Sequence, residues 1–467
     1  MKDLVVLFLL VAMMSLGCEH KLSAPEPPAL IPEVTAAQIQ PNPNNVLSVI
    51  VNLRARNAAT IAVEYGPDSL LHSSTPVFSV SQEDIQIPVL GLPGNTALVA
   101  RVVATSATGH RAKSDLLTFT TPAPPSDLPA LSVLTNHSPH PGLVMMGFTA
   151  SSNNSANCYA LIVDNQGRTI WYRQFREPVL DFQKQLNGNY TVLSSLNGAP
   201  LHFYELDRLG NVLREFSASE GRMTGVHELR LSEGSYALYG VEYRTVDLTA
   251  LGGRADAAVR GNVIEYHRMN HMPFFWSTLE RLEVSEATPD INMQSAEVNP
   301  WHCNAIDFDH DGHLLVSFRN SDMIVKIDAQ TGAIIWRLGG KKNQFVFFND
   351  PFNGFSHQHG IRRLANGHII LFDNGNLHAP PVSRAVEYEL NESAKTATLV
   401  WEYRHEPPLF GSALGFAQRL PNGNTLINYG LAQRVIEVDQ AGTKVWEVKV
   451  EELNRFVYRA FRIDSLY

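Results

Sequence analysis

Apolar and polar positions alternate with a period of two along most of the chain, in short runs broken by Asn-Gly, Asp-Gly and Pro-Asn-Gly. Alternation of that kind marks strands with one buried face, and the breaks supply the turn residues. Stretches with a helical period are scarce, so the pattern predicts an all-β protein. "VLSVIVNLRARNAATIAVEYG" and "TALVARVVATSATGHRAKSDLLTFTTP" carry the alternation within residues 32–121 and predict a small β-sandwich. The Pro-rich stretch that follows predicts a semi-rigid linker over 122–130.

From 131 to 467 a two-part unit recurs. Its first part is a hairpin around a turn glycine, as in "DFQKQLNGNYTVLSS", "HELRLSEGSYALYG", "HCNAIDFDHDGHLLVSFRN", "HGIRRLANGHIILFDNG" and "GFAQRLPNGNTLINYG". The turn glycines are Gly188, Gly234, Gly312, Gly367 and Gly423. Its second part is a strand, a turn and a strand, with Gly-x-x-x-Trp at Gly167/Trp171, Gly332/Trp336 and Gly442/Trp446. "GLVMMGFTA" reads as a degenerate sixth first part, which makes six four-stranded units and predicts a six-bladed β-propeller. The turn glycines 312, 367 and 423 are 55 and 56 residues apart, whereas 234 and 312 are 78 apart. The third unit therefore carries an insertion of roughly twenty residues, placed at "VDLTALGGRADAAVRG".

In such a repeat the first strand of each blade lines the central channel. Counting back from the turn glycines, His227 lies seven residues before Gly234, Asn304 eight before Gly312 and His359 eight before Gly367. The strand period puts His302 on the face of Asn304, and the returning strands reach the same level at Arg319 and Asn374. Imidazoles from three separate blades are thus expected near one channel mouth, with His357 either sharing the face of His359 or shaping the entry loop. "DFDHDG" has calcium-loop spacing, but the twelfth position is Phe318 rather than an acid, and the repeat makes it a hairpin turn.

The formal net charge of −9, from 37 basic and 46 acidic residues, leaves no basic footprint for nucleic acid. Residues 1–18 read as an export signal ending in "SLGC", with Cys18 expected to be lipidated and 19–31 a linker. That places the protein in the periplasm or anchored to the outer membrane. Cys158 and Cys303 remain, and either a bridge or two buried thiols fits an exported chain.

"LGLPGNTALVARVVA", Gly109 and "FTTP" resemble a fibronectin type III module, an Ig-like sandwich. "HCNAIDFDHDGHLLVSFRNSDMIVKIDAQTGAIIWRLGG", followed by "HQHGIRRLANGHIILFDNGN" and the later "RFVYRAFRI", resembles the bacterial arylsulfate sulfotransferases. The resemblance implies a six-bladed propeller behind an N-terminal sandwich, acting without a nucleotide donor or other cofactor. It implies transfer of a sulfuryl group from a phenolic sulfate ester to a phenol through a sulfated histidine. His359 corresponds to the nucleophile, with His302 and His227 as further catalytic histidines. Asn304, Arg319 and Asn374 are expected to bind substrate. The chemistry of the residues agrees: neutral imidazole is a nucleophile near pH 7, and imidazolium can protonate a leaving phenolate. Two other readings stay open, a three-histidine metal-dependent hydrolase and a non-catalytic propeller scaffold.

Overall fold

The computed structural model describes residues 30–150, 157–196 and 198–467. The expected export signal and Cys18 lie outside the described residues. The chain is all-β, with a single four-residue α-helix, Thr278–Arg281, among the described residues.

The N-terminal part builds two sheets. Strands Glu33–Pro41, Ser48–Arg56 and Asp84–Leu90 form one, and Thr60–Gly66 and Ala97–Thr105 centre the other. The alternation seen in sequence becomes alternation in burial: Val49, Val51 and Leu53 meet Ile61, Val63, Ile87 and Val102 in one shared core. The chain from 122 to 130 has no regular structure but is pinned at Asp127, which accepts the Tyr159 hydroxyl (2.6 Å).

Six further sheets follow among the described residues, antiparallel apart from two short parallel additions. Their inner strands are Arg455–Ile463, Leu180–Lys184, Arg230–Ser232, Cys303–Phe308, His359–Arg363 and Phe416–Arg419. These strands meet around one axis. Arg455–Ile463 contacts both Leu180–Lys184 and Phe416–Arg419, and Cys303–Phe308 contacts both Arg230–Ser232 and His359–Arg363. Each repeat hairpin turns where expected: Gly188, Gly234, Gly312, Gly367 and Gly423 all have φ between 67° and 89°, a region L side chains rarely adopt. The insertion lengthens one hairpin, with Ser235–Val246 paired to Ala257–Arg268 over its full length.

The degenerate first unit is not a hairpin. Leu143–Ala150 pairs on one side with Cys158–Val163 and on the other with the distant strand Arg455–Ile463. Leu131–Asn136 likewise joins Lys444–Val450 in the last sheet. Both ends of this region are thus held by partners about 300 residues away.

The tryptophans tie neighbouring sheets together. Trp171, Trp276 and Trp446 are buried, and their indole N–H groups donate to the carbonyls of Arg208 (2.8 Å), Gly332 (3.0 Å) and Asn165 (2.9 Å), each in an outer turn of the next sheet. Asp307, Asp309 and Asp311 are neutralised by Arg230, by Arg363 with Lys326, and by Lys326. The "DFDHDG" stretch is accordingly a hairpin turn whose carboxylates are already paired. Cys303 is a buried free thiol, and Cys158 is buried in a different sheet.

Trp446→Ala should lower the unfolding free energy by about 3–5 kcal/mol, the cost of emptying a buried aromatic site. Trp446→Phe should lose about 1 kcal/mol, the indole bond to Asn165. Urea unfolding checks both, and an unchanged stability in Trp446→Phe would mean that the bond contributes nothing.

Candidate active site

At the level where the inner strands begin, three imidazoles converge. The His227 ring centroid is 4.9 Å from that of His302 and 6.3 Å from that of His359. His227 and His302 stand just before their strands and His359 opens its own. Gly360 makes that entry possible. It has φ 64°, and a Cβ there would lie 2.5 Å from the Phe416 ring.

The hydrogen bonds assign each tautomer. Asn374 Nδ2 donates to the carbonyls of Gly411 (2.6 Å) and Leu414 (2.9 Å), so its Oδ1 must be the atom facing His359 Nδ1 (2.6 Å). The His357 carbonyl also faces Nδ1 (3.1 Å). With two acceptors there, Nδ1 carries the proton, and Nε2 of His359 carries the lone pair.

The other two rings form a chain. The His302 amide donates to Asn299 Oδ1 (2.9 Å), which turns Asn299 Nδ2 toward His302 Nδ1 (3.1 Å). His302 Nδ1 is then an acceptor, and its Nε2–H donates to Nε2 of His227 (2.9 Å). His227 Nδ1–H donates to the Tyr458 hydroxyl (2.6 Å), which itself donates to the His227 carbonyl (3.1 Å). Both ring nitrogens of His227 and His302 are thereby assigned, and these two rings are neutral. The hydrogen bond between His227 and His302 also occupies the lone pair a metal ion would need, and among the described residues no cluster of three or more ligating side chains is arranged for a metal.

Electrostatics agree with neutral rings. Burial lowers His227 well below the usual imidazole value, and the neighbouring histidines and Arg459 add to the effect. Burial also lowers His302, to about 3, with Arg319 and Arg260 contributing. His359 is lowered well below 6.5, by burial first and Arg319 next, against a smaller opposing effect of the bond to Asn374. Arg319 follows strand Leu314–Phe318, and its backbone N–H bonds the His302 carbonyl (3.1 Å). Its guanidinium donates to Asn320 Oδ1 (2.8 Å) and the Ser412 carbonyl (3.1 Å), while Asp290 and Asp322 act on it only from a distance. Among the described residues, the site therefore holds an arginine with no carboxylate in contact, beside neutral imidazoles. That combination suits an anion.

Two expectations shift. The alternation meant to put His302 and Asn304 on one face does not hold, because His302 lies outside the strand with φ 52° and the register shifts between Cys303 and Ala305. Asn304 donates to the Gln358 carbonyl (2.7 Å) and leaves its buried Oδ1 without a protein partner. Asn374 spends both ends of its amide on protein, which puts it behind His359 rather than facing a ligand. His357 is fully buried; its ring bonds Asp290 (3.0 Å) and approaches Asp322 (3.2 Å). Asn299 and Tyr458 were missed. Neither stands at a repeat position, and Tyr458 lies within the quoted "RFVYRAFRI" with no chemical pattern to mark it.

The sequence model of a family described as Arylsulfotransferase (ASST) matches residues 130–459. No curated protein matches the chain. Among solved structures, a protein of unknown function from Bacteroides caccae is 14% identical at a TM-score of 0.41, over 68% of this chain and 98% of that one. A streptogramin B lyase is 12% identical at 0.37, over 70% and 88%. A virginiamycin B lyase from Staphylococcus aureus is 10% identical at 0.35, over 72% and 99%.

The lowered His302 gives a pH prediction with a definite sign. In the unfolded chain an imidazole binds a proton as pH falls through about 6.5, whereas the folded ring stays neutral until about 3. Stability should fall as pH drops from about 6.5 toward 3. Between pH 7 and pH 5 the urea midpoint of the wild type should fall further than that of His302→Gln. Equal falls would mean the ring protonates while folded.

Proposed function

Since the chain belongs to the arylsulfotransferase family, we propose that it moves a sulfuryl group from an aryl sulfate ester to a phenolic acceptor through a sulfated His359. The observation that carries this reading is the assigned tautomer: a buried His359 with its Nε2 lone pair free, its Nδ1–H held by Asn374, and Arg319 close by with no carboxylate partner among the described residues.

In the first half-reaction His359 Nε2 attacks sulfur. The N–S bond forms as the S–O bond to the aryl oxygen breaks. Negative charge spreads over the non-bridging oxygens, and Arg319 meets it there. The imidazole gains positive charge, which strengthens the Nδ1–H bond to Asn374 Oδ1, so that bond acts on the transition state more than on the ground state. The departing phenolate has a conjugate acid of pKa about 10 and needs a proton. His302 and His227 are neutral in the free protein, but the charge of a bound sulfate ester offsets Arg319 and favours protonation of this pair. The proton taken up with the ester goes to the departing oxygen, and the incoming phenol returns it in the reverse half-reaction. No nucleotide enters.

The six sheets around one axis are, in this reading, the blades of a β-propeller, and the N-terminal sheets an Ig-like sandwich packed against it. The N-terminal sequence ending at Cys18 would carry the protein out of the cytoplasm and anchor it by lipid at the outer membrane.

With para-nitrophenyl sulfate as donor and phenol as acceptor, His359→Ala should abolish nitrophenol release. Wild type mixed with donor alone should yield a peptide containing His359 heavier by one SO3 unit, and Arg319→Ala should lower kcat by roughly 100-fold. Full turnover in His359→Ala would refute the intermediate.

A further inference from the structure

A cleft of about 610 Å³ opens between the second and third sheets. Leu201, Met223, Val226 and Val241 give it apolar walls, and Arg260 closes one side. Val226 directly precedes His227, and the charge of Arg260 reaches the rings of both His227 and His302. The cleft therefore borders the segment that carries His227, and its walls offer carbon surface to something flat.

The two arginines of the cleft are not equivalent. Arg222 is engaged by Glu220 (2.5 Å) and, more loosely, by Glu265 (3.6 Å), and lies over the Phe275 ring. Among the described residues, Arg260 has only Glu297 at 3.7 Å, whose carboxylate is half exposed. An ion pair of that length with a solvated partner is weak. Arg260 is held in place by the long hairpin, where its residue pairs with Tyr243, so the inserted segment is what brings this charge to the cleft.

We propose that this cleft takes the aromatic ring of the substrate and that Arg260 selects phenols bearing a second anionic group, a carboxylate or an equivalent acid, on the ring or a short arm. The inference rests on the sulfuryl-transfer reading for its setting and goes beyond it in naming the substrate class. The apolar walls bury the ring, and Arg260 exchanges its loose contact with Glu297 for a charge-assisted bond to the acid. Arg319, on the fourth sheet, remains for the sulfuryl oxygens, so the two anionic groups of one ester have separate cations.

The test compares phenol with para-hydroxyphenylacetate as acceptors. Wild type should prefer the acid in kcat/KM, and Arg260→Gln should reduce that preference roughly ten-fold, with Arg260→Lys restoring part of it. Calorimetric titration with para-hydroxyphenylacetate and no donor should show binding to the wild type weakened to a similar extent in Arg260→Gln. Val226→Trp, which fills the cleft, should weaken both phenols. An unchanged preference and unchanged binding in a folded Arg260→Gln protein would overturn the proposal. Absence of any sulfuryl transfer by the wild type would instead overturn the proposed reaction, and the titration would still decide what the cleft binds.

Discussion

Beneath the histidines the inner strands bring their charges to a common axis, and the rest of the structure depends on how those charges are met. Arg459 contacts both Asp181 (2.7 Å) and Glu228 (2.9 Å), Arg362 grips Glu228 through both nitrogens (3.1 and 2.9 Å), and Arg230 pairs with Asp307 (2.9 Å). These six side chains come from five different sheets. Asp181, Glu228 and Arg459 are almost wholly buried, so no single member can be removed without leaving an unpaired charge in a dry interior, a cost of about 3–5 kcal/mol. The network is less a source of net stability than a device that fixes which sheets meet and at what height. Burial raises Asp181 to about 6 and Glu228 adds to it, while Arg459 opposes both.

That network also sets the active site, by adjacency along the chain. Glu228 follows His227 and Arg459 follows Tyr458. In each pair one side chain enters the charge network, and the preceding one joins the imidazole chain above it. Arg459 additionally holds the Asn304 carbonyl (3.0 Å), and Asn304 holds the carbonyl of Gln358, the residue before His359. The positions of His227 and His359 therefore follow from a buried ion pair and an amide bond one residue away, and His302 is held by Asn299 and stands two residues before Asn304.

Much of this was legible in the sequence, and the failures have physical causes. The turn glycines marked the hairpins because positive φ admits few other residues, and the spacing from them brought His227, His302, His359, Arg319 and Asn374 to one level. What depended on side-chain direction was harder to read. The period of two fails at His302, where a left-handed residue breaks the strand before Cys303. The same limit hid the role of Asn374, since a residue's distance from a turn does not say which way its amide faces. The pairing of Leu143–Ala150 with Arg455–Ile463 is long-range, and neither segment shows in its own pattern that the other completes it. Tyr458 comes to His227 only through that pairing.

The chemistry turns on one electrostatic choice made twice. A histidine nucleophile must be neutral, and burial alone would achieve this, but a buried neutral site has no affinity for an anionic ester. A cation near the rings solves both requirements. Arg319 disfavours protonation of His302 and His359 in the free protein, and in the proposed reaction the same charge attracts the ester that His359 attacks. A carboxylate in contact with Arg319 would cancel both effects. Asp290 and Asp322 stand far enough from it to be taken up instead by His357 (3.0 and 3.2 Å). The buried His357 can thus be understood as a spacer for charge: it engages Asp290 and Asp322, the two carboxylates whose charge reaches Arg319, and lends its own carbonyl to His359 Nδ1. In the proposed reaction, this second imidazole thereby keeps the anion site open and holds His359 in the tautomer that can react.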